Sequence, residues 1–434
     1  MYYGPMTTNT ILLSDIVSVE LFAADLAAGR IQTRSHPDDP ELRIYSYTKM
    51  TQYGGLWTAA SKLARGLILR VPGDDLAQAT VESRGLPKFF TVAQVADSDW
   101  GRAKLIDDDE NVVVDEAPEI PWDLPAVVAD KLNGALGLGY IDPSGRFRIS
   151  TKGSFESLEA TVANRVLDTK HARATELISR ADATTPPMAT MLFEIITPER
   201  PHPVDYGDLE DLIFLGTIDN RTGQWTPARG DEDAVLFGFP FAPTHKVKSL
   251  KEAVELPYED NTEGFVVTVI GGDPEAIYKV KPNEYLQLRK LFYALQDTEL
   301  KDFVSARSFT DQLLEIESAQ DIDLSALVGE LKLNGQMGAM LEKRRSTIFE
   351  EIVRPAQELI GDALAALGDW GLNRPEAKGD WASQVPRGEV ARWIKEKPQK
   401  LQGLYFAVYS GMLLGSDGAK ASQAAVKLTL EGLR

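Results

Sequence analysis

The chain has 434 residues, long for one domain and suited to two or three. It holds no cysteine and only four histidines, which excludes disulfides, thiolate chemistry and Cys-built zinc sites and argues against a His-built metal site, so the working groups are lysine, arginine and carboxylate. With 46 basic against 65 acidic side chains the net charge is -19, so any site for a polyanion must be a local basic pocket and not a diffuse attraction.

The chain has no uncharged apolar stretch of about 18 residues, the length a membrane span requires. Its opening, MYYGPMTTNTILLSD, has none of the features of a signal peptide. A cytoplasmic protein without a membrane partner is therefore expected. Up to about residue 290, short alternating or β-branched runs are punctuated by Gly, Pro, Asn and Asp, which predicts strands and turns with some helix. Residues 135–141 (ALGLGYI) and 146–151 (RFRIST) flank Asp142-Pro143-Ser144-Gly145, a turn tetrad that predicts a hairpin. Further strands are predicted in 188–196, in 212–218 before Asn220-Arg221-Thr222-Gly223, and in 264–270, joined by Gly271-Gly272-Asp273-Pro274 to AIYKVK. Beyond about residue 290 the spacing becomes helical, with Met337, Met340, Leu341, Ile348, Ile352, Leu359, Ala363 and Leu367 on one face. Pro355 should kink or restart that segment, Gly368 and Gly371 suit its end, and Asp417 can cap a last helix. The expectation is an α+β domain over 1–290 followed by a mostly α-helical domain over 291–434.

One lysine motif stands out for the company it keeps. Lys131-Leu132-Asn133-Gly134 is a K-x-x-G, a pattern that matches by chance in many proteins and means little alone. In order follow Lys152, Phe193-Glu194, Glu263-Gly264, and Lys279-Val280-Lys281, each on or beside a predicted strand. Lysines at i and i+2 of a strand share a side, so Lys279 and Lys281 are expected to serve one pocket. Upstream lie RIYSYT (43–48), Ala64-Arg65-Gly66 and Lys88-Phe89-Phe90.

This ordered set resembles the covalent nucleotidyltransferases and, within them, the phage-type RNA ligase 1 family of ATP-dependent RNA ligases. The resemblance spans roughly residues 40–290 and implies an ATP-grasp-like core of antiparallel sheets with helices. It implies Lys131 as the nucleophile that accepts AMP from ATP, with Gly134 closing its motif. Lys279 and Lys281 are implied as catalytic cations on the nucleotide phosphates. Glu194 is implied to bind the ribose, and Glu263 to hold Mg²⁺ or Mn²⁺ or its waters. Lys152 is implied to meet the nucleotide or the metal-bound phosphates, and Arg65 and Lys88 to hold the β and γ phosphates. Asn133 departs from the pattern, since many relatives carry Asp there.

The chemistry is consistent with these roles. A lysine amine attacks phosphorus only when neutral, and its ordinary pKa is about 10.4, so neighbouring cations would favour the reactive form while stabilising phosphate charge. The implied activity joins RNA 5′-phosphate and 3′-hydroxyl ends through a lysyl-AMP and an adenylylated RNA, with tRNA as a candidate substrate and a monomer expected. The C-terminal domain offers Arg387, Arg392, Lys395, Lys397 and Lys400 with Trp393 and Tyr405 interleaved, a pattern compatible with RNA contact but better read as a basic solvated helix face around a core Trp. The competing functions are a DNA ligase, a capping enzyme, and a catalytically silent nucleotide- or RNA-binding protein. No P-loop motif is present, so no end-healing kinase of that type is encoded.

Overall fold

The computed structural model describes residues 10–96, 104–106, 112–114, 119–179, 188–228, 238–259, 261–271, 276–329, 335–374, 381–414 and 418–432. The chain divides into two compact units, Met1–Tyr285 and Leu286–Arg434.

In the first unit, β1 (Ile31–His36), β2 (Asp39–Tyr47), β3 (Arg65–Arg70) and β4 (Thr80–Ser83) pair in that order as an antiparallel sheet. A two-stranded ribbon follows, made of β5 (Lys104–Ile106) and β6 (Val112–Val114). The next strands are β7 (Ala126–Asp130), β8 (Ala135–Ile141), β9 (Phe147–Thr151), β10 (Ala189–Ile196), β11 (Asp211–Asp219) and β12 (Trp225–Pro227), and the last are β13 (Thr244–His245), β14 (Phe265–Val269) and β15 (Ile277–Val280). They build two further antiparallel sheets, ordered β12-β11-β10-β8-β9 and β13-β7-β14-β15.

The local chemistry of these strands follows the sequence closely. The β8–β9 hairpin turns where the tetrad predicts, with the Gly145 N–H donating to the Asp142 carbonyl at 2.9 Å and Gly145 at φ 84°, a value that suits glycine. After β11, Asp219 accepts hydrogen bonds from the Arg221 and Thr222 N–H groups and Gly223 takes φ 76°. The helix Leu158–Thr169 begins at Ser157, whose hydroxyl accepts from the Ala160 N–H. Its Val162, Ala163, Val166 and Leu167 are buried with Phe147, Ile149, Phe193 and Ile195, so one helix face closes the five-stranded sheet.

The topology also explains where the motifs meet. β7 belongs to one of these sheets and β8 to the other, so Lys131–Gly134 is the crossing between them. β10 pairs with β8, with Glu194 opposite Leu136, which carries Glu194 to the end of that crossing. β14 runs antiparallel to β7 with Phe265 opposite Asp130, and β15 antiparallel to β14 with Val280 opposite Phe265. Residues just after β7, just before β14 and just after β15 therefore lie at one end of the sheet: Lys131, Glu263 and Lys281.

The described residues of the second unit contain helices and no strand. Met337, Leu341, Ile348, Ile352, Ala363 and Leu367 are buried in its core with Met340 and Leu359 packed beside them, as the spacing predicts. Pro355 follows a π turn at Phe349–Val353 and stands at the start of the helix Arg354–Leu372. A proline has no N–H and its ring crowds the carbonyl four residues back, and the wider turn accommodates both. Gly368 and Gly371, expected to end the helix, lie inside it. Gly371 serves packing instead, since a Cβ there would fall 2.0 Å from the Trp381 ring. Asp417 lies outside the described residues. No helix among the described residues is long and apolar enough to cross a membrane.

Candidate active site

Glu263 is the hub. It is 4% exposed, and its two oxygens are both engaged by basic or amide groups. Lys281 Nζ lies 2.6 Å from Oε1, while Lys131 Nζ lies 2.8 Å from Oε2 and Asn133 Nδ2 donates to the same oxygen at 2.8 Å. Burial alone would raise this carboxyl, but Lys131 and Lys281 hold it below the usual range. The backbone enforces the meeting. The Lys131 N–H donates to the Gly264 carbonyl at 2.8 Å, and Gly264 sits at φ 117° with its missing Cβ aimed 2.1 Å from the Val280 carbonyl oxygen. No other residue fits there.

Asn133 is held on every side. Its Nδ2 also donates to the Tyr285 hydroxyl at 3.1 Å, its Oδ1 accepts from the Val204 N–H at 3.3 Å, and its own N–H donates to the Tyr206 hydroxyl at 2.8 Å. Gly134 N–H donates to Glu194 Oε1 at 2.7 Å, and a Cβ on Gly134 would meet the Ile195 carbonyl oxygen at 2.4 Å, so glycine permits the approach. Glu194 keeps some residue exposure, but its carboxyl is enclosed by protein. Burial pushes it up to about 7, against the opposing pull of Lys131.

A second group of cations is laid over aromatic rings. Lys279 Nζ lies 4.4 Å from the centre of the Phe89 ring and donates to the Phe89 carbonyl at 3.1 Å, while Arg65 lies 5.3 Å over the same ring. Lys88 Nζ is 5.3 to 5.6 Å from the rings of Tyr47, Trp57 and Phe90, and Lys152 Nζ is 4.7 Å from the Tyr47 ring. Ring quadrupoles hold cations together that would otherwise repel. The Phe89–Thr91 stretch is pinned to β15, the Lys279 N–H donating to the Phe90 carbonyl at 3.0 Å. Burial, then Arg65, Lys88, Lys131 and Lys281, drive the Lys279 ammonium well below the ordinary lysine range. Lys88 is lowered chiefly by burial. Tyr47 is lowered too, because Arg65, Lys88 and Lys152 outweigh its burial.

The structure thus gathers Lys131, Gly134, Glu194, Glu263, Lys279 and Lys281, with Arg65 within electrostatic reach of Glu194 and Lys279, and Lys88 within reach of Lys279 and Lys281. Lys152 joins through Tyr47, whose hydroxyl it contacts at 3.4 Å. The sequence reading did not assign Tyr47, Trp57, Tyr206 or Tyr285. Tyr47 ends RIYSYT and Tyr285 stands four residues after Lys281, which are usable signals, whereas nothing in sequence spacing marks Tyr206. In the second unit Trp393 stacks on Trp370 at 5.2 Å, with Lys397 3.9 Å over the Trp393 ring and Arg374 4.1 Å over the Trp370 ring. Its faces are taken by intramolecular partners, in keeping with a core Trp inside a basic solvated face.

Among the described residues no three His, Cys, Asp or Glu side chains gather to hold a metal ion. Glu263, a buried carboxylate, has the chemistry of the single protein ligand that would suit a Mg²⁺ otherwise held by waters and substrate phosphates.

A family model described as RNA ligase, of the T4 RNA ligase 1 type, matches residues 63–286. A curated relative from Thermovibrio ammonificans whose name carries the words RNA ligase is 28% identical over 141 residues, which is 32% of this chain and 35% of the relative, so the chain spans about a third of its length. An archaeal ATP-dependent RNA ligase, form 2, aligns over 80% of both chains at 14% identity with a TM-score of 0.40. A Naegleria gruberi RNA ligase variant with ATP and Mn aligns over 38% of this chain and 52% of its own at 14% identity and a TM-score of 0.29. The match of the family model covers more than half of the 434 residues and contains every element of the Lys131 cluster, and the chain belongs to the RNA ligase family.

Proposed function

We propose that this protein is an ATP-dependent RNA ligase that joins a 5′-phosphate to a 3′-hydroxyl through a lysyl-AMP. The observation that carries the reading is the convergence of Lys131, Glu263 and Lys281 within 2.6 to 2.8 Å contacts inside a family-matched segment. In the first step Lys131 leaves Glu263 and gives up a proton to solvent, its neutral Nζ attacks the α-phosphorus of ATP, and the second nitrogen proton departs with the pyrophosphate. An N–P bond forms, the bond to the β-phosphate oxygen breaks, and pyrophosphate departs. Lys279 and Lys281 balance the charge that grows on the α-phosphate. An anion beside Lys279 opposes the burial and like charges that depress its ammonium and so favours the charged form. Arg65 and Lys88 receive the β and γ phosphates, Lys152 adds charge at their rim, and Glu194 accepts from a ribose hydroxyl. Glu263, released from Lys131, is the group that would hold Mg²⁺ or Mn²⁺ or its waters, and the ion supplies further neutralisation of phosphate charge. AMP then passes to an RNA 5′-phosphate, and a 3′-hydroxyl displaces it.

In this reading residues 1–290 are the adenylyltransferase domain, residues 291–434 bear on RNA choice, tRNA ends are candidate substrates, and the protein acts as a monomer in the cytoplasm. The test is intact mass after incubation with ATP and Mg²⁺. Wild type is expected to gain one AMP, about 329 Da, and Lys131→Ala none. A protein that gains nothing after pyrophosphate has cleared any resident AMP, or a Lys131→Ala variant that still gains it, overturns the reading.

A further inference from the structure

The third position of the lysine motif carries an amide, and its surroundings show what an amide does there. Asn133 gives one N–H to Glu263 Oε2 at 2.8 Å and the other to the Tyr285 hydroxyl at 3.1 Å, and takes the Val204 N–H on its oxygen. Four separate stretches of chain, after β7, between β10 and β11, before β14 and after β15, are tied through this one side chain. The amide is neutral, so it restrains Glu263 without using the charge of Lys131 or Lys281 to do so. A carboxylate in the same place would set an anionic oxygen against Glu263 Oε2 at hydrogen-bond distance with no proton between them. That contact is repulsive wherever no cation bridges it, and Lys131, already 2.8 Å from the same oxygen, would have to serve two carboxylates at once.

We propose that Asn133 is a positioning residue that fixes Glu263 by hydrogen bonding and so assembles the Lys131–Glu263–Lys281 cluster before any divalent cation binds. The inference rests on the ligase reading only for its catalytic consequence, because the assembly itself is a property of the free protein. The amide also leaves the cluster one charge more positive than an aspartate would, which favours a polyphosphate ligand.

The test uses the full chain in thermal melts without nucleotide, in EDTA and in Mg²⁺, for wild type, Asn133→Asp, Glu263→Gln and the double variant. Wild type is expected to melt alike in both buffers. Asn133→Asp should melt about 4 °C lower in EDTA and recover in Mg²⁺, because the ion screens the two carboxylates. Asn133→Asp with Glu263→Gln reverses the amide and the carboxylate across the same contact. It should regain most of the stability lost in EDTA and lose the response to Mg²⁺. If Asn133→Asp is too unstable to purify in EDTA, the reversed pair still decides, since it folds only if that contact was the fault. In adenylylation, Asn133→Asp should need about tenfold more ATP for half-maximal rate while approaching the wild-type rate at saturation, a split that general destabilisation would not produce. The proposal is overturned if Asn133→Asp melts as wild type does in both buffers, or if the reversed pair is no better than the single variants. Wild-type protein that forms no adduct while these melts behave as expected would overturn the ligase reading and leave this one standing.

Discussion

Glu194 is a carboxyl placed where ionisation is costly. It accepts the Gly134 N–H at 2.7 Å, which favours the charged form, and still burial moves it from 4.5 up to about 7. An acid whose pKa is raised on folding destabilises the fold wherever the unfolded chain would ionise and the native chain resists. Below about pH 4.5 both states are protonated and nothing is lost; between 4.5 and about 7 stability falls as pH rises; above that the loss is constant, on the order of 3 kcal/mol. Glutamine keeps the carbonyl that Gly134 needs and removes the ionisation. Glu194→Gln is therefore expected to match wild type in stability near pH 4.5 and to exceed it increasingly up to about pH 7, and, under the ribose role proposed for Glu194, to bind ATP more weakly. Chemical denaturation of the two proteins across that range checks the sign: a constant difference would mean that Glu194 titrates normally. The cost of holding this carboxyl is a stability deficit at neutral pH retained in the cluster that the proposed reaction uses.

At the scale of elements, the site depends on how strand ends are brought together, and Gly264 is the tightest joint. It precedes β14, holds φ 117°, and leaves 2.1 Å between its absent Cβ and the Val280 carbonyl oxygen. Gly264→Ala must push the end of β15 away, carrying Lys281 from Glu263 and disturbing the Lys131 N–H bond to the Gly264 carbonyl. A loss of about 1–3 kcal/mol is expected, with adduct formation reduced further than stability. Urea denaturation and intact mass on one preparation separate the two effects, and an adduct yield unchanged from wild type would show that Lys281 does not need that joint. Such joints also mark the limit of what the sequence discloses. The strands around Asp142–Gly145 and Asp219–Gly223 are legible because turn residues act on their own neighbours. Lys131, Glu194, Glu263 and Lys281 are legible as an ordered motif set. Tyr206 is not, because its contact with the Asn133 backbone spans 73 residues and arises only when two chain segments fold together. The aromatic seat of Lys88 is local only in Phe90, two residues on, while Tyr47 and Trp57 come from an earlier stretch and reach it only on folding.

For the molecule as a whole, an acidic chain of net charge -19 gathers Arg65, Lys88, Lys131, Lys152, Lys279 and Lys281 with the carboxylates Glu194 and Glu263, a local basic cluster of the kind the proposed reaction needs for its polyanionic substrates. All eight belong to the Met1–Tyr285 unit, and the helical unit Leu286–Arg434 has a core of its own. A defect confined to that core should therefore leave self-adenylylation intact. Two glycines of one helix provide the test and its control. At Gly368 a Cβ meets nothing within 4 Å, so Gly368→Ala should stabilise the helix by up to about 1 kcal/mol through its propensity. At Gly371 the same methyl would lie 2.0 Å from the ring of Trp381, which is 4% exposed and has no room to move. Overpacking of this kind costs about 1–3 kcal/mol, more than the propensity gain, so the sign reverses. The melting temperature followed by Trp fluorescence, to which Trp370, Trp381 and Trp393 contribute three of the chain's seven Trp, should rise for Gly368→Ala and fall for Gly371→Ala. The AMP adduct should form at the wild-type rate in both. An adduct lost in Gly371→Ala at temperatures below its melt would show that the first unit cannot charge its lysine without an ordered partner, and that the two units act as one in the first chemical step.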